Sequence, residues 1–94
     1  WAKDDFACVV FNLRTPHTDA GRARTAEAFH GLIQAALDQD GSFFLTYHRH
    51  ATREQLLRAY PRLPEFLARK REHDPGEIFQ SDWYRHVRDL IGGA

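Results

Sequence analysis

Phe6-Ala7-Cys8-Val9-Val10-Phe11-Asn12-Leu13 is the stretch on which the fold reading turns. It is rich in aromatic and β-branched residues and apolar on both alternating faces, the pattern of a strand covered on two sides. Downstream, Arg14-Thr15-Pro16-His17-Thr18-Asp19 reads as a polar turn that offers Thr18 or Asp19 as a helix N-cap. Ala26, Phe29, Leu32, Ile33, Ala36 and Leu37 then fall at helical spacing, and Asp40-Gly41 closes that element. Ser42-Phe43-Phe44-Leu45-Thr46-Tyr47-His48 predicts a second apolar strand. Two strands joined by a crossover helix run parallel through a right-handed connection. Split β-α-β folds place an antiparallel strand between such a pair. The chain has no clear third strand, and two bare strands are marginal in water. The sheet is therefore expected to continue in sequence outside this chain or in another chain.

The second half predicts helices. Thr52-Arg53-Glu54-Gln55 fits a capping box and opens a short helix carrying Leu56 and Leu57 as far as Tyr60. Pro61 and Pro64 break it and start another, since proline is tolerated in a first helical turn. That helix carries Phe66 and Leu67 and ends before Asp74-Pro75-Gly76, where Gly76 is free to take a positive φ. A last helix opens at Ser81 and sets Trp83, Val87, Leu90 and Ile91 on one stripe. The expected fold class is α+β: a partial ferredoxin-like sheet, strand-helix-strand, followed by three short C-terminal helices. No repeat, low-complexity tract or linker divides residues 1–94, so a single unit is expected.

Composition narrows the function classes. With 94 residues, 43% hydrophobic and 28% charged, the chain reads as globular. At this length only about 60–65% of the unfolded surface is buried, so a missing neighbour matters. Thirteen basic and thirteen acidic residues give a net charge of zero, which offers no electrostatic case for nucleic acid or an anionic membrane. The single cysteine, Cys8, cannot form an internal disulfide and is expected in the core; a cytoplasmic location is the default. No apolar stretch reaches membrane-spanning length. The chain begins at Trp1 and contains no Met, so it is expected to be part of a longer protein.

From Phe44 onward the pattern becomes specific. Thr46-Tyr47-His48-Arg49-His50-Ala51-Thr52, Ala59-Tyr60-Pro61-Arg62, Phe66-Leu67 with Lys70, Asp74-Pro75, Phe79 and Ser81-Asp82-Trp83-Tyr84-Arg85 follow in close order. This ordered set resembles the C-terminal end of FAD-linked oxidoreductases of the vanillyl-alcohol oxidase type. Within them it is most similar to the branch of aldonolactone oxidases, alditol oxidase and decaprenylphosphoryl-ribose oxidase. The resemblance covers residues 44–88 closely and residues 8–41 more loosely, where strand and helix match the substrate (cap) domain. It implies a C-terminal segment of an enzyme that oxidises an alcohol group of a sugar, polyol or aldonolactone by hydride transfer to FAD. The FAD would be held mainly by an N-terminal domain of the same parent protein, outside this chain. The isolated chain is then expected to be inactive.

The resemblance also nominates residues. Tyr47 and His48 stand at the end of the second predicted strand, where the family places a cap residue over the flavin. Some relatives carry a catalytic lysine where this chain has Tyr47, so lysine-assisted chemistry does not transfer. Tyr47 would bond a substrate hydroxyl, and His48 would assist its deprotonation as hydride leaves for the flavin. The plainer reading makes Tyr47 a strand aromatic and His48 a satisfied polar neighbour. Asn12 and Arg14 would face the active-site cavity, and Arg49 would meet an anionic substrate or a flavin phosphate. No residue of this chain is nominated to bind the cofactor directly. His48 and His50, two apart on a strand, share a face, but no further ligands complete a zinc site. His17, His30, His73 and His86 read as scattered surface or capping residues. Two other classes stay open. One is a free-standing, non-catalytic α+β interaction module that pairs its sheet across a homodimer. The other is a small hydrolase with His48 as base, which lacks a nucleophile in any recognisable motif.

Overall fold

In the computed structural model, residues 4–45 and 48–92 are described. Four helices carry the described chain: α1 (Asp19–Asp38), α2 (Arg53–Ala59), α3 (Leu63–His73) and α4 (Asp82–Gly92). There is no strand among the described residues. The expected α+β class with a strand-helix-strand sheet is therefore wrong, and the observed class is all-α. The reason lies in the pairing. A strand needs a neighbouring backbone to accept its N–H groups, and the β-like composition of residues 6–13 supplies side chains but no such partner.

The two predicted strands meet different fates. Residues 6–13 lie exposed, with Val9 at 69% and Val10 at 78% of full accessibility. Cys8, expected in the core, is exposed with them. The second segment is tied down by helix side chains instead of a sheet. The Tyr60 hydroxyl donates to the Phe43 carbonyl, and the Trp83 indole N–H donates to the Leu45 carbonyl at 3.1 Å. Phe43 and Leu45, two residues apart, turn the same way and pack against the helical core.

Three of the four helices start at a side-chain cap present in the sequence. The Thr18 hydroxyl accepts the Gly21 N–H at 3.0 Å and caps α1. At the far end Asp40 adopts φ 56°. The Gly41 N–H then reaches the Ala36 carbonyl at 2.8 Å and the Asp40 N–H reaches Leu37 at 3.0 Å, a Schellman closure. The capping box at Thr52 and Gln55 is formed in both directions, at 3.1 and 3.2 Å. The Ser81 hydroxyl accepts the Tyr84 N–H at 3.0 Å at the start of α4.

The core is built by α2, α3 and α4. Leu56, Leu63, Leu67, Tyr84 and Val87 are buried together, and Trp83, Leu90 and Ile91 pack on them. Phe66, next to Leu67 in the chain, faces outward. Helix α1 joins through buried Ile33 and Leu37 and through two long donors from α2. The Gln55 amide donates to the His30 carbonyl at 3.0 Å, and Arg58 donates to the Leu37 carbonyl at 2.8 Å. Arg58 thus places a cation at the negative end of α1.

Gly21 gives one test of this packing. Replacing a helical glycine with alanine ordinarily stabilises by about 0.5–1 kcal/mol. Here a Cβ at Gly21 would stand 2.3 Å from the Pro16 carbonyl oxygen and 2.9 Å from its Cβ. Gly21→Ala is therefore expected to lower the melting temperature, against the usual sign. An unchanged or raised melting temperature would show that the turn before α1 yields without cost.

Candidate functional site

Tyr47 lies outside the described residues. His48 is half-buried against α1, its ring centroid 4.4 Å from that of Phe29. His50 stacks on the same phenyl ring at 4.8 Å and 10° between planes. The two imidazoles are 5.3 Å apart, and His48 Nδ1 accepts the His50 backbone N–H at 3.2 Å. Arg49 reaches Asp82 at 3.9 Å, and both side chains are largely exposed. Asn12 and Arg14 lie exposed on the N-terminal arm, without a hydrogen bond to the histidines among the described residues.

Beside His48 and Arg49 is a crevice floored by Leu56 and Val87 and walled by Trp83 and His86. Its volume is about 10 Å³, room for about one water and not for a sugar. A second, open cleft of about 560 Å³ runs between Phe6, Asp40, Arg58 and Tyr60. Among the described residues the crevice is lined by no Ser, Thr or Cys to pair with its histidines. Among the described residues no group of three His, Cys, Asp or Glu side chains is placed to hold a metal ion.

Burial, then the neighbouring His50, holds His48 below the ordinary imidazole range. Burial, then His30, does the same to His50. His30 and His86, read from sequence as scattered, thus belong to this neighbourhood. Linear spacing carries no signal for His30, because its approach to His50 depends on how α1 docks against the loop. His86 lies three residues after Trp83, which puts it on the crevice side of α4.

The other organised polar site lies on the Asp-Pro-Gly turn. The Asp74 carboxylate accepts from Lys70 at 2.5 Å and from the Ile78 and Phe79 N–H groups at 2.9 and 3.0 Å. The Tyr84 hydroxyl donates to Glu77 at 2.6 Å, Arg88 reaches the other Glu77 oxygen at 3.2 Å, and Lys70 sits 4.3 Å over the Tyr84 ring. The positive φ falls on Glu77, at 50°, and not on Gly76 as the sequence suggested. The Glu77 side-chain bonds hold that residue where glycine would ordinarily be favoured. The turn holds Ile78 and Phe79 out into solvent, at 80% and 78% of full accessibility.

These carboxylates give the fold an acid limit. The Lys70 bond, then the Ile78 N–H, lowers the Asp74 pKa; the Tyr84 hydroxyl, then Arg88, lowers that of Glu77. A carboxylate lowered in the folded state contributes stability above its unfolded pKa and loses it as pH falls through the folded value. The melting temperature is therefore expected to fall as pH drops below about 4. Asp74→Asn and Glu77→Gln should each flatten that fall. An unchanged acid limb in both variants would remove the turn from the explanation.

No helix among the described residues is long and apolar enough to cross a membrane. No family model matches the chain, and no curated protein or solved structure matches it either.

Proposed function

We propose that this chain is the closing segment of an FAD-dependent oxidoreductase acting on an alcohol group of a sugar, polyol or aldonolactone. In that role it packs on a flavin-binding domain of its parent protein and shapes the substrate side. The observation that carries this reading is the apolar surface left uncovered. Phe6, Val9, Val10, Phe11, Ile78 and Phe79 are all more than half exposed. The accessible surface is 7293 Å², against about 5,600 Å² for a compact monomer of this mass. The excess, about 1,700 Å², is roughly twice what one partner contributes to a standard interface. Such a surface suits a piece completed by a neighbour.

The resemblance carried by the ordered motifs of residues 44–88 supports a flavin-binding domain as that neighbour. In this reading Tyr47 and His48 meet the substrate, Asn12, Arg14 and Arg49 line its approach, and the parent protein is cytoplasmic. The flavin supplies the hydride acceptor, and this chain's residues orient the substrate and manage its proton.

The test is an intact mass and a visible spectrum of the protein that carries this sequence, purified from its native source. A heavier species, or a tightly held larger partner, with flavin absorption bands is the expected result. A colourless species of 10.9 kDa that self-associates would replace this reading with a homodimeric interaction module.

A further inference from the structure

We propose that the contact between α1 and residues 48–50 is an acid-labile clasp, in which protonation of clustered imidazoles on mild acidification releases the loop from the helix. Phe29, His48 and His50 form a three-ring cluster, with Phe29 4.4 Å from His48 and 4.8 Å from His50 and the two imidazoles 5.3 Å apart. The bond from the His50 N–H to His48 Nδ1 needs an unprotonated nitrogen, because an imidazolium has no acceptor. Protonation at that atom therefore removes the bond that sets the loop's shape.

Among the described residues no ion pair offers the added charge a counterion. From α1, the group facing His50 is His30, another base. From α4, His86 borders the crevice beside His48, and Asp82 is directed at Arg49. From α2, Gln55 bonds the His30 carbonyl and is uncharged. Arg49 adds a fixed positive charge within the loop itself. Among the described residues no carboxylate makes an ion pair with His30, His48 or His50. Burial and mutual repulsion hold both loop imidazoles below their ordinary range, consistent with this arrangement.

The direction follows from linkage. The released loop binds protons at the ordinary histidine value near 6.5, before the clasped loop does. The clasp is complete above that pH and weakens as pH falls towards the lower, clasped values. The inference is independent of the proposed enzymatic role, because it concerns only how this loop is held.

The experiment is amide hydrogen exchange, corrected for intrinsic rates, on the protein in which this chain occurs, at about pH 7.5 and 5.5. Residues 48–52 are expected to lose protection severalfold at the lower pH, while α3 keeps its protection. His50→Gln and His30→Gln should each reduce that loss. Equal loop protection at both pH values in the unsubstituted protein would overturn the proposal, whatever the variants do. Loss spread equally over α3, or a loop response unchanged in both variants, would overturn it as well.

Discussion

Leu67→Ala is expected to open the α3–α4 half of the molecule. Leu67 is 1% exposed and sits among Leu56, Leu63, Tyr84 and Val87. Removing a fully buried leucine side chain costs about 3–5 kcal/mol, the sum of lost transfer energy and an unfilled cavity. The whole stability of a small domain is about 5–15 kcal/mol, so one such loss consumes much of it. Amide protection in α3 and α4 should fall about a hundredfold or more. Phe66→Ala, one residue earlier and 53% exposed, should leave that protection nearly unchanged. Equal effects at the two positions would mean that α3 is rotated from the orientation described.

The second large effect concerns docking. On the proposed oxidoreductase reading, Ile78→Asp with Phe79→Asp is expected to separate this segment from the flavin-bearing body while leaving its own helices intact. Both side chains are mostly in solvent, so the change removes no packing from the α2–α4 core. In a docked state they would be buried, each contributing about 2 kcal/mol. Losing both weakens docking about a thousandfold, before the cost of burying two carboxylates is added. The double variant of the parent protein should expose this segment to limited proteolysis under conditions that leave the unsubstituted protein uncut, with unchanged helical circular dichroism. Unchanged resistance to proteolysis would place the interface elsewhere, with the exposed arm of residues 6–13 as the surface to alter next. The Asp74 and Glu77 bonds matter here because they fix the turn before anything binds, which lowers the ordering cost of docking.

Most helical boundaries were legible because helix signals are local. Thr18, the Thr52-Gln55 box, Asp40-Gly41 and Ser81 each act on backbone groups within a few residues, and all four do so in the structure. Residues 6–13 and 42–48 misled because a β pattern describes the covering a segment needs, not whether a partner backbone is available. The candidate site divides on the same line. His48-x-His50 was visible as a pair, whereas Phe29 and His30 entered it only through the docking of α1.

By itself the sequence determined where three of the four helices are capped, that the last helix presents an apolar stripe, and that residues 6–13 are too apolar to suit water. Those are short-range properties, set by side chains competing for neighbouring N–H groups and by period. Tertiary structure alone decided that the two apolar segments form no strand among the described residues. It alone moved the left-handed residue from Gly76 to Glu77, through bonds to Tyr84 and Arg88 seven and eleven residues away. It also decided that Leu67 is core while Phe66 faces solvent. Such outcomes depend on which surfaces meet, and that is a property of the packed chain as a whole.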